Sequence, residues 1–375
     1  MALAAASVQR VILCVDMDYF FAQCEERRRP ELQNHPVVVC VYSGRTATSG
    51  VVSAANYVAR NLGVRSGLPI VRAQKLLQHR ADAVFLPVDH DNYEVTSARV
   101  MELLRAHADR FESASIDEAF LDVSTRSGGN IHAAVEHARE LKRQLRTQER
   151  LSCSVGVGPN KLLAKMAADF QKPDGLTIVR PDEAASFFAP LPVERLYGVG
   201  PKSAGRLHEL GIRTIGDLAS MDPALLLKTF GRQLGRYLHR AAQGTDDEPV
   251  AGREGREQIS RIATLKEDTR DVDLIYPVLE QLAQDIRQQA NAERLGFRSV
   301  AILVFMEDLS VRTRTATLER LTTDATIMLR TARELLLTLL EEIDGLKLRR
   351  IGLRIAELGV AVRERTLTEF LEPSS

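Results

Sequence analysis

Near its start the chain carries an uninterrupted apolar run, Val11-Ile12-Leu13-Cys14-Val15, whose β-branched content predicts a strand buried on both faces. The run delivers Asp16 to its carboxyl end. Asp18 then reads as the N-cap of a helix over residues 19–29, closed by Pro30. A second buried strand is predicted over 36–41. Small residues and helical spacing alternate over 50–78, and strand character returns over 84–87 and 111–123. Residues 131–146 have helical spacing with a charged outer face, 152–157 alternate as a strand, and 159–170 read as a helix. Interleaved strands and helices of this kind predict an α+β catalytic domain.

The pattern changes after residue 182. Short helices separated by Gly and Pro fill 182–240 with no strand signal, which predicts a small all-helical unit. Residues 242–257, rich in Gly, Asp, Glu and Arg and without periodicity, read as an exposed linker. Beyond it, strands at 259–265, 299–305, 309–317 and 348–356 with helices at 272–295 and 326–340 predict a second α+β module. The tail after Leu358 is too short to fold alone.

Composition adds limits. A length of 375 residues suggests two to four domains, and 45% hydrophobic with 27% charged residues is ordinary globular usage. Lys+Arg and Asp+Glu both number 50, so the total charge does not announce a polyanionic partner. Binding depends on where a basic groove lies, which a sum cannot show. The four cysteines, Cys14, Cys24, Cys40 and Cys153, lack metal-ligand spacing and read as buried free thiols. Neither a signal peptide nor a span of about 20 apolar residues is evident, so a cytosolic protein with no membrane association is expected.

Five segments could carry chemistry. Asp16 stands where a strand leaves the core, and it could equally be a plain strand-terminating acid. Asp117 and Glu118, in Ser115-Ile116-Asp117-Glu118-Ala119-Phe120, occupy a turn that could aim two carboxylates at one ion or be merely solvated. Three hard carboxylates without histidine favour magnesium or manganese over zinc. In Ala55-Asn56-Tyr57-Val58-Ala59-Arg60, Tyr57 and Arg60 share a face if helical and could grip a triphosphate, or lie idle on the surface. After Gly158-Pro159-Asn160, a helix would align Lys161, Lys165, Asp169 and Lys172, so that Lys165 could reach an anion; a solvated charged face is the alternative. Gly198-Val199-Gly200-Pro201-Lys202-Ser203 could form a backbone anion pocket for a DNA phosphate, or a packing corner.

Taken in this order, Val15-Asp16-Met17-Asp18-Tyr19-Phe20-Phe21, Ala55 to Arg60, Ala114 to Phe120 and Ser154-Val155-Gly156-Val157-Gly158-Pro159-Asn160-Lys161-Leu162-Leu163-Ala164-Lys165 resemble the Y-family translesion DNA polymerases, specifically the DinB type and its archaeal members. The resemblance covers nearly the whole chain. It implies a multidomain right hand: a palm with a mixed sheet from 1–19 and 87–172, fingers from 20–86, and an all-helical thumb with a helix-hairpin-helix from 173–241. A linker at 242–257 and a C-terminal α+β little finger at 258–358 follow, then a tail at 359–375. It also implies template-directed addition of deoxynucleoside triphosphates to a primer–template, with low fidelity, translesion synthesis and no proofreading. Two Mg2+ ions, replaceable by Mn2+, would be held by Asp16, Asp117, Glu118 and the backbone carbonyl of Met17. Asp18 would be a cap. Tyr57, Arg60 and Lys165, beside Phe20 and Phe21, would hold the nucleotide. Phe21 would be the steric gate against a ribose 2′-hydroxyl. Gly198, Gly200, Lys202 and Ser203 would touch DNA phosphates, and Gly50 and Val51 would roof the replicating base pair.

Two departures stand out. Ala54 occupies a position where the family often has a phosphate-binding threonine, with Ser53 as the neighbouring hydroxyl, and residues 252–360 are near neutral where the little finger is usually basic. At the end of the chain, Glu364-Arg365-Thr366-Leu367-Thr368-Glu369-Phe370-Leu371 resembles a degraded sliding-clamp peptide that keeps Leu367, Phe370 and Leu371. A monomeric cytoplasmic enzyme at the nucleoid is expected. The competing expectations are a catalytically weak DNA-bound scaffold and a template-independent nucleotidyl transferase.

Overall fold

The computed structural model describes residues 8–252, 256–343 and 345–360. By their contacts, residues 8–41 and 51–252 form one unit, and 42–50 with 256–343 and 345–360 form a second.

In the first unit the apolar run becomes Ile12–Met17, the middle strand of a five-stranded sheet, and all six of its residues are buried. The strand order is Arg110–Ser113, Glu118–Asp122, Ile12–Met17, Cys153–Gly158, Leu176–Ile178. The sheet is mixed, since only the last pair runs parallel. Strand character over 111–123 with a turn at Asp117 and Glu118 resolves into a hairpin, in which Ala114 N and Ser115 N both turn back to Glu118 O at 2.9 and 3.1 Å and Glu118 itself opens the second strand. That turn sets Glu118 opposite Asp16 in the ladder.

The helix Lys161–Ala168 lies directly on this sheet. Asn160 caps it, its Oδ1 accepting from Leu163 N at 2.9 Å, and Asp246 Oδ2 accepts from Leu162 N at 3.1 Å. Gly156 makes the close approach possible, because a Cβ there would stand 2.0 Å from Ala164 O and 2.3 Å from Ala168 N. A three-stranded sheet of Gly50–Ala55, Val37–Tyr42 and Val84–Pro87 supports the short helices Tyr57–Asn61 and Ile70–Leu76 around Val38, Val52 and Ile70.

From Ala184–Phe188 onward the unit is helical, continuing through Pro201–Glu209 and Ile215–Ala219 to Pro223–Ala242, around Leu207, Leu226 and Leu238. Gly231 at φ 79° breaks the last helix into two segments. The expected exposed linker is only partly so. Asn160 Nδ2 donates to Gly244 O at 2.8 Å, Ala251 N donates to Glu112 Oε2 at 3.2 Å, and Val250 is buried against Ile12 and Phe120. A single apolar residue among charges is enough to anchor a segment that has no periodicity of its own.

The second unit is an antiparallel sheet in the order Val311–Thr322, Leu295–Met306, Leu348–Ala356, Gln258–Thr269, covered by the helices Val272–Ala292 and Ala325–Glu342. Its strands outrun the apolar runs that predicted them, since residues such as Arg298 and Arg320 continue the strand on a solvent-facing side. Gly359–Val360 adds a short strand beside Leu295 and Gly296. Leu367, Phe370 and Leu371 lie outside the described residues. All four cysteines are buried, and none is in a disulfide. No described helix is long and apolar enough to cross a membrane.

Candidate active site

Strand register brings the first two carboxylates together. Asp16, near the end of its strand, faces Glu118, the first residue of the neighbouring strand. Lys165 comes from the helix above and places Nζ 2.6 Å from Asp16 Oδ2 and 2.6 Å from Glu118 Oε2. Lys172, from the loop after that helix, reaches Asp16 Oδ1 at 2.7 Å. Asp169 contacts both ammonium groups, at 3.2 Å from Lys165 and 2.9 Å from Lys172.

The electrostatics follow from this crowding. Burial alone would raise the Asp16 pKa, but the charges of Lys165 and Lys172 bring it below the usual carboxylate value. Burial raises the Glu118 pKa, and Lys165 only partly offsets it. Lys165 is held firmly protonated, because the surrounding acids outweigh the burial that would discharge it.

Asp117 is half-buried and turned aside, accepting from Ser115 Oγ at 2.6 Å, while its carbonyl accepts from Met17 N at 2.9 Å. Ser97 Oγ donates to the preceding carbonyl, Ile116 O, at 2.5 Å and fixes the turn. Among the described residues no three acids, histidines or cysteines form a ready-made cation cage. The donors nevertheless suit a hard cation: Asp16 and Glu118 offer carboxylate oxygens that already converge on one positive charge, with Asp117 beside them in sequence.

Asp18 is not the expected helix cap. The helix Phe20–Arg28 begins after Tyr19, which is left-handed at φ 34° and makes no side-chain cap bond. Asp18 is 1% exposed and accepts from Ser152 Oγ, Ser154 Oγ and Asp174 N at 2.8, 2.8 and 2.9 Å. A buried carboxylate with three donors is an anchor, and here it ties the first strand to the loop that carries Lys172.

Tyr57 and Arg60 do share a helical face, and the guanidinium lies 5.0 Å from the centre of the Tyr57 ring. Arg60 Nε donates to Ala55 O at 2.7 Å, which steadies the fork. Asn56 positions the pair by capping Ala59 N at 3.0 Å, and its amide donates to Glu26 Oε1 at 2.7 Å. Phe20 is buried, whereas Phe21 is half-buried and stacks on Tyr93 with ring centres 4.4 Å apart. Tyr93, fully buried, donates to Glu25 Oε1 at 2.8 Å. Ala54 is buried in the strand beneath.

Gly198, Gly200, Lys202 and Ser203 stand on another element, at the start of the helix Pro201–Glu209. Gly198 is left-handed at φ 85°, Gly200 is the N-cap, and Pro201 follows at the first helical position. Asp169, Lys172 and Tyr93 are the residues to which sequence reasoning gave no role. Lys172 lies past the end of its helix, where spacing no longer fixes direction, and Tyr93 reads as an ordinary core aromatic.

A mixed sheet whose strand ends carry carboxylates met by two lysines, a helical segment after it and a separate α+β module are the parts of a DNA-directed DNA polymerase. Residues 15–169 match the impB/mucB/samB family, residues 256–368 its C-terminal domain, and residues 194–246 the DNA polymerase-iota thumb domain. The DNA polymerase IV of Methanosarcina acetivorans is 45% identical over 97% of this chain and 100% of its own length. That of Saccharolobus solfataricus is 38% identical over 96% and 99%. Among solved structures, the Y-family chimera Dbh-Dpo4(243-245)-Dbh matches with a TM-score of 0.88 and 38% identity over 94% of this chain and 100% of its own. An insertion ternary complex of Dbh DNA polymerase matches at 0.67 and 38%, over 92% and 98%. The chain belongs to the Y family of DNA polymerases, and the relatives it is similar to are DinB-type DNA polymerases IV of archaea.

Proposed function

We propose that the chain performs low-fidelity, lesion-tolerant primer extension by a two-metal phosphoryl transfer centred on Asp16, Asp117 and Glu118. The observation that carries the reading is the convergence of Asp16 and Glu118 on one positive charge at the end of a buried strand. Asp16, Glu118, Asp117 and the Met17 carbonyl would hold the cations, with Mg2+ favoured by the all-oxygen donor set and Mn2+ as its substitute. Divalent cations held there would supply activation of the primer 3′-hydroxyl and neutralisation of charge on the leaving pyrophosphate.

The protein supplies position and charge. Tyr57 and Arg60 grip the triphosphate with a hydroxyl and a rigid donor fork, and Lys165 adds an ammonium. Phe21, backed by Tyr93, closes the space at the sugar and excludes a 2′-hydroxyl. Val51 is 43% exposed and Gly50 has no side chain, so the roof over the base pair is open enough for damaged templates. Gly198, Gly200, Lys202 and Ser203 hold the DNA backbone through amides and a cation, independent of sequence.

The domain assignment follows the same reading: palm from 1–19 and 87–172, fingers from 20–86, thumb from 173–241, linker from 242–257 and little finger from 258–358. The enzyme works on chromosomal DNA as a cytoplasmic monomer without a 3′-excision step, and the terminal residues 359–375 are its candidate clamp contact.

The test is extension of a labelled primer on four templates that differ only at the next base, with wild type and Glu118→Ala. Template-matched extension by wild type alone supports the reading. Binding without extension would favour a scaffold, and one nucleotide added on every template a transferase.

A further inference from the structure

The two lysines occupy the space that the proposed cations need. Lys165 Nζ bridges Asp16 and Glu118, and Lys172 Nζ covers the other oxygen of Asp16. An ammonium and a divalent cation cannot share those oxygens, both sterically and because like charges repel at such range. Cation binding therefore has to expel both ammonium groups, and the question is where they go. Releasing them into solvent would send Lys165, which is buried, away from the nucleotide it has to meet.

Asp169 offers a nearer place. It is the C-cap of the helix that bears Lys165, one turn further along, and it stands three residues before Lys172. Its carboxylate already touches both ammonium groups, at 3.2 and 2.9 Å, and its side chain is 40% exposed while those of Asp16 and Glu118 are 10% and 13% exposed. It therefore lies at the mouth of the pocket, outside the pair that the cations take. Arg195 Nη2 donates to its backbone carbonyl at 3.4 Å and helps to fix it.

We propose that Asp169 is a positioning residue for the polymerase reaction: it holds Lys165 and Lys172 at the pocket mouth once cations take Asp16 and Glu118, so that cation binding delivers both lysines to the triphosphate. The inference rests on the two-metal reading above. In the absence of cations the lysines keep the buried carboxylates neutralised; in their presence Asp169 keeps the lysines from leaving. Asp169 thus makes the exchange cheap in both directions and couples the cation site to the nucleotide site.

The test separates this coupling from the metal reading. Mn2+ binding to the full chain, without DNA or nucleotide, is titrated by electron paramagnetic resonance for wild type, Asp169→Asn, Lys172→Met and the double variant. Asp169→Asn removes the lysines' second partner and leaves them tighter on Asp16, so Mn2+ should bind about three- to fivefold more weakly, the size of one partly exposed ion-pair contact. Lys172→Met removes a competitor and should tighten Mn2+ binding. In the double variant the loss caused by Asp169→Asn should shrink, because one of the two lysines it acts through is gone. In single-nucleotide kinetics Asp169→Asn should raise KM for the nucleotide more than it lowers kcat, and its melting temperature should match wild type.

Wild-type Mn2+ affinity in both single variants would overturn the lysine exchange while leaving the metal site standing. No Mn2+ binding in wild type would overturn the metal reading itself. Weakened Mn2+ binding in both single variants would also overturn the exchange, since it would show the lysines to be supports of the site and not competitors for it.

Discussion

Gly156→Ala tests the link between packing and chemistry most directly. The backbone at Gly156 is ordinary strand, so the substitution acts by volume alone. The new Cβ would stand 2.0 Å from Ala164 O, where ordinary contact begins at 3.4 Å, so that carbonyl must retreat by the difference, 1.4 Å. The obstacle is helix backbone and not a flexible side chain, which means the helix Lys161–Ala168 moves as a body. A retreat of that size carries Lys165 Nζ from 2.6 Å to about 4 Å from Asp16 and Glu118, the outer limit of an ion pair. Overpacking a well-filled core costs about 3 kcal/mol at this severity. For a unit of this size that corresponds to a melting temperature lower by roughly 6–12 °C.

With Lys165 in the proposed role at the triphosphate, a displacement of about 1 Å should also lower kcat/KM for nucleotide incorporation by about a hundredfold. Differential scanning calorimetry and single-nucleotide primer extension read the two effects separately. A wild-type melting temperature would refute the close packing of helix on strand. A lowered one with kcat/KM within twofold of wild type would refute the claim that this packing aims Lys165.

Three further outcomes are expected. Phe21→Ala should admit ribonucleotides while deoxynucleotides are still incorporated, and Tyr93→Leu, which removes only the ring behind Phe21, should relax sugar discrimination less; equal discrimination in all three proteins would remove Phe21 from the gate. Asp18→Ala leaves two hydroxyls and one amide without their buried acceptor and should cost about 3 kcal/mol in urea unfolding. Burial lowers the His137 pKa, the nearby positive charge of His107 and Arg126 adds to that, and the bond to the His107 carbonyl opposes it. The folded state therefore binds its proton less readily than the unfolded one, so this contribution to stability is present above the ordinary histidine pKa and is lost as pH falls through it. The melting temperature should drop more between pH 7.5 and 5.5 in wild type than in His137→Gln.

Much of the first unit was legible because its buried strands are continuous apolar runs. Val11 to Val15 leaves no other reading, and the acid that follows such a run must sit at a strand end. The pairing of Asp16 with Glu118 was not legible, since register depends on where the 114–117 turn reverses, and one residue of slip would send Glu118 to the opposite face. Asp18 misled for a related reason. An acid just before a helical pattern is a cap in most chains, but here two serines, one in another strand and one just before it, far away in sequence, took its oxygens. The second unit showed its elements but not their lengths, because arginines on the solvent side of a strand interrupt the apolar signal without interrupting the ladder.

The neutral total charge of the chain conceals a site whose charge stays small only when it is empty or completely filled. Asp16, Glu118 and Asp169 face Lys165 and Lys172, three negative charges against two positive, and Asp117 beside them makes the excess two. Arg60 brings the empty site to minus one, and two divalent cations alone would carry it to plus three. A nucleoside triphosphate brings about four negative charges, so nucleotide alone would take the pocket to minus five, whereas both cations and nucleotide together return it to minus one, the charge of the empty site. Either ligand alone leaves a larger uncompensated charge in a place with little water to screen it. Cations and nucleotide should therefore bind with positive cooperativity, each raising the affinity for the other by the same factor. The lysine pair makes the empty state tolerable, since it cancels half of the carboxylate charge without a metal. A palm that kept its carboxylates but lost both lysines would hold cations more tightly and nucleotide less well. Extension would then slow even though the metal site had improved.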